Sequence, residues 1–190
     1  MTKLALFASG SGSNVENILK FCAGVEDMRA EIVVSEKKHC GAFDHAEKFG
    51  VDTLSVNWQD EAAINKMINA LQDKKTDIVV LAGFMKLIPP SLISAYPDQI
   101  VNIHPALLPK YGGKGMFGKN VHKAVHEANE NESGITIHLV NEEYDKGRIL
   151  FQAKDDVLPN DDENDIERKV RRLEILHYPS VIYKFAKNEL

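Results

Sequence analysis

Short apolar runs alternate with longer amphipathic stretches through the first hundred residues, and this rhythm restricts the fold more than any other feature of the chain. Residues 3–8 read as a buried strand, and residues 15–23 as a helix with Val15, Ile18, Leu19 and Cys22 on one stripe. Residues 31–35, 51–56 and 77–82 repeat the strand signature; residues 41–49, 60–71 and 90–96 repeat the helix. Gly50 reads as a left-handed helix stop and Asp60 as an N-cap. The run 77–82 is the most apolar, so it is expected at the centre of a sheet, covered on both faces. Successive strand–helix–strand units close right-handed and give parallel neighbours. The predicted class is α/β: a Rossmann-like, doubly wound, mostly parallel sheet.

The rhythm breaks after residue 105. Residues 110–120 carry four glycines (Gly112, Gly113, Gly115, Gly118) and no periodicity, which reads as a mobile loop. A helix is expected over 121–129. Residues 134–140 alternate, with Ile135, Ile137 and Leu139 against Thr136 and His138, which predicts a strand with unlike faces. Residues 149–157 form a further strand, antiparallel to it, so the sheet gains an antiparallel C-terminal extension. Residues 161–189 read as a long helix, acidic at its start, that Pro179 kinks or divides. The chain is read as one domain, 1–190, with a phosphate-binding half at 1–105 and a second half at 106–190.

A hydrophobic fraction of 44% over 190 residues is enough for a packed core. The net charge of −5 gives no basic field for nucleic acid, and no apolar segment is long enough to span a membrane. Cys22 and Cys40 form neither a Cys-x-x-Cys pair nor a zinc spacing, and no signal peptide precedes the first strand; reduced cysteines and a cytoplasmic location are expected. His122 and His126 have helical spacing but lack a third ligand at a usual separation, so no metal is expected.

Two stretches carry chemistry. The first is Ser9-Gly10-Ser11-Gly12-Ser13-Asn14, between a strand and a helix. Backbone N–H groups at a helix start favour a phosphate or carboxylate. Val15 stands where a dinucleotide fingerprint needs a small residue, and the P-loop lysine is absent, so neither NAD nor ATP fits. A plain glycine turn is the bland alternative. The second stretch is Asn102-Ile-His104-Pro105. Two-residue spacing puts the amide and the imidazole on one face of a strand that Pro105 ends. Strand ends of this kind bind ligands in open α/β sheets. Taken alone, the pair also suits a turn cap and a structural histidine.

These two stretches, with Leu81-Ala82-Gly83-Phe84-Met85, the continuation Ala106-Leu107-Leu108-Pro109 and Asp145 downstream, together resemble the phosphoribosylglycinamide formyltransferase family along nearly the whole chain. Asn-x-His-Pro alone is shared among formyl-group enzymes; the N-terminal Gly-Ser-Asn loop selects this family. The resemblance implies formyl transfer from 10-formyltetrahydrofolate to the amino group of 5-phosphoribosylglycinamide in purine synthesis, with no metal and with small molecules as partners, in a monomer or homodimer. By position it implies Gly12, Ser13 and Asn14 as the phosphate loop and Glu174 at the ribose. It implies Met85, Lys86, Leu87 and Ile88, with Asn102, against the folate. Asn102, His104 and Asp145 fall on the catalytic positions. Attack by the amine makes an oxyanion, for which the Asn102 amide and a protonated His104 are the expected donors; Asp145 is expected to favour the imidazolium. His138 is read as a supporting residue.

Departures from the family pattern are Lys86 where arginine is common, Ala106 where serine is common, an acidic Asp60 where a cation can meet the folate tail, and the glycine-rich run 111–118. A 10-formyltetrahydrofolate hydrolase is the nearest rival, and a non-catalytic phosphate-ligand module the other. The hydrolases carry an N-terminal regulatory domain and the methionyl-tRNA formyltransferases a C-terminal RNA-binding one; with its first strand at Lys3 and its last residue at Leu190, the chain is expected to be the transferase.

Overall fold

A computed structural model describes residues Met1–Leu190. The chain divides into two compact units, Met1–Val101 and Asn102–Leu190.

In the first unit the strands are β1 (Thr2–Phe7), β2 (Met28–Ser35), β3 (Asp52–Ser55) and β4 (Ile78–Leu81), followed by the start of β5 (Ile100–His104). Their order is β3-β2-β1-β4-β5. β1 pairs in parallel with both β2 and β4, and β2 pairs in parallel with β3. The helices are α1 (Ser13–Ala23), α2 (Gly41–Lys48), α3 (Glu61–Asp73) and α4 (Pro90–Ala95). Burial explains the order. Leu4 to Ala8 and Val79 to Val80 are shielded from solvent on both faces, as all-parallel strands require. Asp60 caps α3 by accepting from Ala62 N and Ala63 N, and Gly50 stands at φ 66° just beyond α2.

β2 starts three residues before the expected Glu31, because Met28, Arg29 and Ala30 pair with Thr2, Lys3 and Leu4. Arg29 is polar and hid the start of the strand, but it pairs with Glu31 at 2.5 Å.

The second unit contains the end of β5, then α5 (Lys119–Glu127), β6 (Glu132–Leu139), β7 (Ile149–Asp156) and α6 (Glu163–Ala186), with strand order β5-β6-β7. β6 and β7 are antiparallel, as expected. Two expectations fail here. β6 has no solvent face: Ser133 to Leu139 are all buried. Thr136 is tolerated inside because its Oγ1 donates to Ala106 O at 2.7 Å and accepts from Leu108 N at 2.9 Å. Nor does Pro179 divide the last helix, which runs through it for 24 residues. A capping box at Asp162 and Asp165 starts α6, and Ile166, Val170 and Leu173 bury one stripe.

Candidate active site

In the first unit the chain moves outward from β1 to β2 to β3, then returns to β4 on the other side of β1. That reversal leaves the carboxyl ends of β1 and β4 side by side, the usual ligand position in such sheets. Ser9 ties the two loops together: its N–H donates to Gly83 O at 3.0 Å, and its Oγ accepts from Met85 N at 2.9 Å. The same Oγ donates to Glu36 Oε2 at 2.9 Å, which settles the direction of its proton. Gly12 then enters α1 at φ 79°, with no side chain to cap the helix. A Cβ there would lie 2.5 Å from the Ala42 Cα, so both the left-handed backbone and the approach of α2 demand glycine. The first-turn N–H groups of a helix have no acceptor within it and, with the helix dipole, suit an anion. Gly12, Ser13 and Asn14 form the start of α1. In the segment between β4 and α4, Met85, Lys86 and Leu87 are exposed and Ile88 is buried.

The second unit contains the titratable cluster. β5 presents half-buried Asn102 and buried His104 from one face. β6 brings in His138, and the turn after it brings in Asp145. The Asn102 amide nitrogen lies 3.1 Å from His138 Nε2, and His138 Nδ1 lies 2.8 Å from Leu139 O. A carbonyl accepts only, so Nδ1 bears the hydrogen and Nε2 accepts from the amide. Asp145 then faces both rings, with Oδ2 at 3.7 Å from His104 Nδ1 and Oδ1 at 3.6 Å from His138 Nε2. These are electrostatic contacts, too long for direct hydrogen bonds. Asp145 Oδ2 also accepts from Gly113 N at 2.8 Å. Asp145 sits in the left-handed region at φ 55°, which aspartate tolerates better than most residues. The following turn is held by Gly147, where a Cβ would fall 1.7 Å from Leu139 O.

Burial pushes the Asp145 carboxyl up, but the Gly113 N–H and the two imidazoles together outweigh it and hold the group below its usual range. For His104 the balance runs the other way. Burial is the largest influence and lowers its pKa; the Asp145 carboxylate and the Tyr111 carbonyl raise it by less, and His138 lowers it further. Asp145 favours the imidazolium expected from the sequence, but burial outweighs it and favours the neutral ring. His104 Nε2 lies 2.8 Å from Tyr111 O and so carries the hydrogen, leaving Nδ1 as an open base facing a carboxylate.

Asn102, His104 and Asp145 thus converge, with His138 between the amide and the carboxylate. The Tyr111 carbonyl and the Gly113 N–H escaped sequence reading because backbone groups carry no residue-type signal. Glu174 is half-buried on α6. His122 is buried on α5 while His126, one turn on, is exposed, so the pair does not present two ligands to one point. On α6, Arg172 is ion-paired with Asp155 at 2.6 Å, Lys169 with Asp161 and Arg168 with Asp165.

The formyl transferase family model matches residues 2–182. The chain belongs to the formyl transferase family. Relatives within the family sharpen the placement. It is 41% identical over 186 residues to the chloroplastic phosphoribosylglycinamide formyltransferase of Arabidopsis thaliana, covering 95% of this chain and 64% of that protein. It is 34% identical to the phosphoribosylglycinamide formyltransferase of Haemophilus influenzae, covering 100% of this chain and 90% of that protein. The fold superposes on glycinamide ribonucleotide transformylase 1 from Symbiobacterium toebii with a TM-score of 0.90 at 31% identity, over 99% of this chain and 89% of that one. The chain spans just under two thirds of the plant relatives, 64% of the Arabidopsis protein and 62% of the one from Vigna unguiculata. No helix is long and apolar enough to cross a membrane.

Proposed function

We propose that this formyl transferase family member moves the formyl group of 10-formyltetrahydrofolate to the amino group of 5-phosphoribosylglycinamide, a step of purine synthesis, in the cytoplasm. The observation that carries the reading is the meeting of Asn102, His104 and Asp145 within one unit of a chain whose relatives bear this enzyme's name.

The chemistry asks for little beyond these groups. The amine nitrogen attacks the formyl carbon, and the carbonyl electron pair moves onto oxygen. Asn102 gives one amide N–H to His138 Nε2, which turns the second N–H toward the developing oxyanion. Removing one such donor typically costs about 10²–10³ in rate. The attacking nitrogen must shed a proton, and His104 Nδ1 accepts it. The imidazolium so formed lies beside Asp145, which stabilises it as it forms. Its proton then goes to the folate nitrogen as the carbon–nitrogen bond to the folate breaks and the formyl carbonyl is restored. A base that rests neutral and is charged only in mid-reaction fits this sequence better than a permanent imidazolium.

Gly12, Ser13 and Asn14 are assigned to the substrate phosphate and Glu174 to its ribose. Met85, Lys86, Leu87 and Ile88, with Asn102, are assigned to the folate. The chemistry needs no metal.

The test is deformylation of 10-formyl-5,8-dideazafolate with and without the ribonucleotide. Strict dependence on the ribonucleotide is expected. Release of formate to water at the same rate without it would make the protein a hydrolase, and no turnover at all would leave a phosphate-ligand binding module.

A further inference from the structure

Residues 82–89 lie in neither helix nor strand, yet hold two large apolar side chains out to solvent, Met85 at 56% and Leu87 at 54% exposure. An irregular segment that shows this much apolar surface needs something to keep it from collapsing onto the core. Two contacts do so. Ser9 Oγ holds Met85 N at 2.9 Å. The indole of Trp58, on the loop between β3 and α3, donates its Nε1–H to Leu87 O at 2.9 Å. The Trp58 ring is itself held. It packs edge-on against Phe84, with ring centroids 4.9 Å apart at 72°, and against Phe7 at 6.2 Å and 84°. Phe7 and Phe84 complete the cluster at 5.5 Å, with Phe7 fully buried in β1. The indole is therefore braced against a β1 side chain and reaches across to a loop carbonyl.

We infer that Trp58 is a positioning residue for the co-substrate: it fixes the backbone at Leu87 so that Met85 and Leu87 form a ready-made apolar wall for a flat, folate-like ring. This rests on the assignment of residues 85–88 to the folate. Trp58 acts through Leu87 and need not touch the ligand. A wall fixed in advance spares the ligand the entropy of ordering it, so the effect falls on co-substrate binding rather than on chemistry.

Trp58→Phe keeps an aromatic ring against Phe84 and Phe7 and removes only the N–H donor. With 10-formyl-5,8-dideazafolate as the varied substrate, its KM is expected to rise about three- to ten-fold, the size that one net hydrogen bond allows. The kcat and the KM for the ribonucleotide are expected to stay within about two-fold. Trp58 is the sole tryptophan, so the wild-type emission reports on this one site. It is expected to change saturably with the formyl-dideazafolate and to stay unchanged with ribonucleotide alone. Melting of the variant, followed by circular dichroism, separates this from a loss of folding.

An active wild type with no change in co-substrate KM on Trp58→Phe, or with kcat and both KM values moving together, would overturn the inference. Met85→Ala and Leu87→Ala test the underlying assignment separately. If neither moves the co-substrate KM, the wall is not the folate site and the role of Trp58 falls with it; if they do and Trp58→Phe does not, only the role of Trp58 falls.

Discussion

Asp145 faces the open Nδ1 of His104 across 3.7 Å, yet the histidine rests below its usual pKa because burial outweighs the carboxylate. Activity should therefore be limited on the acid side by protonation of His104. In the free enzyme, kcat/KM for the ribonucleotide is expected to rise with pH and level off, with its midpoint below the ordinary histidine value of 6.5. Asp145→Asn removes a group that raises the His104 pKa, so the midpoint should move to still lower pH. Asparagine tolerates the left-handed backbone at 145, so the turn is kept. A midpoint that shifts upward in this variant would reverse the roles argued above.

The same two lowered pKa values make a stability prediction. His104 and Asp145 both bind a proton more readily in the unfolded chain than in the folded one. Their contribution is present above the unfolded values and is lost as pH falls through the folded ones. Urea midpoints at a series of pH values should fall from near 6.5 downward, and His104→Gln should flatten the upper part of that fall. An unchanged slope in the variant would show that other groups carry it.

Asn102→Ala, His104→Ala and Asp145→Ala should each cost about 10²-fold or more in kcat while leaving ribonucleotide affinity near wild type, measured by single-turnover rates and calorimetry. His138→Ala should cost less, about ten-fold, because the amide survives but loses the ring that orients it. Near-normal turnover in any of the first three would remove that residue from the scheme.

How far this arrangement was readable without coordinates depended on the kind of group involved. The strand–helix rhythm gave the first unit almost element by element, because parallel strands are apolar throughout and Asp60 and Gly50 mark helix ends chemically. It failed at Thr136 and His138, which alternate with Ile135 and Ile137 as surface residues do. They are instead buried polar groups, satisfied by Ala106, Leu108, Leu139 and Asn102, and a hydrogen bond to a distant carbonyl leaves no trace in a local pattern. Asn102, His104 and Asp145 could be picked out by motif and family position. The neutral state of His104 could not, since it depends on how deeply the ring is buried. Nor could the docking of the glycine-rich loop, which is held by the Gly113 N–H on Asp145 and the Tyr111 carbonyl on His104.

Gly12→Ala tests the phosphate loop by its backbone. Alanine resists φ 79°, and its Cβ would meet the Ala42 backbone at 2.5 Å, so α1 and α2 must move apart. A loss of about 1–3 kcal/mol in stability is expected from strain and displaced packing. Ribonucleotide KM should rise by at least ten-fold with a smaller change in co-substrate KM. Equal changes in both would point to general loosening rather than to a phosphate site.

Thr136 holds the second unit together at a point where no water reaches it. Its hydroxyl donates to Ala106 O at 2.7 Å and accepts from Leu108 N and Gln152 Nε2, each at 2.9 Å. Valine has nearly the same shape but leaves the carbonyl and the amide without that partner inside a fully buried site. Unsatisfied buried groups cost about 1–3 kcal/mol, and in a chain of this size each kcal/mol lowers Tm by roughly 2–4 °C. Thr136→Val should therefore melt several degrees below wild type, while Thr136→Ser, which keeps the hydroxyl, should recover most of the difference. If serine fails to rescue, the loss comes from the missing methyl group and its packing, and the hydroxyl is not what fixes residues 106–108 against β6.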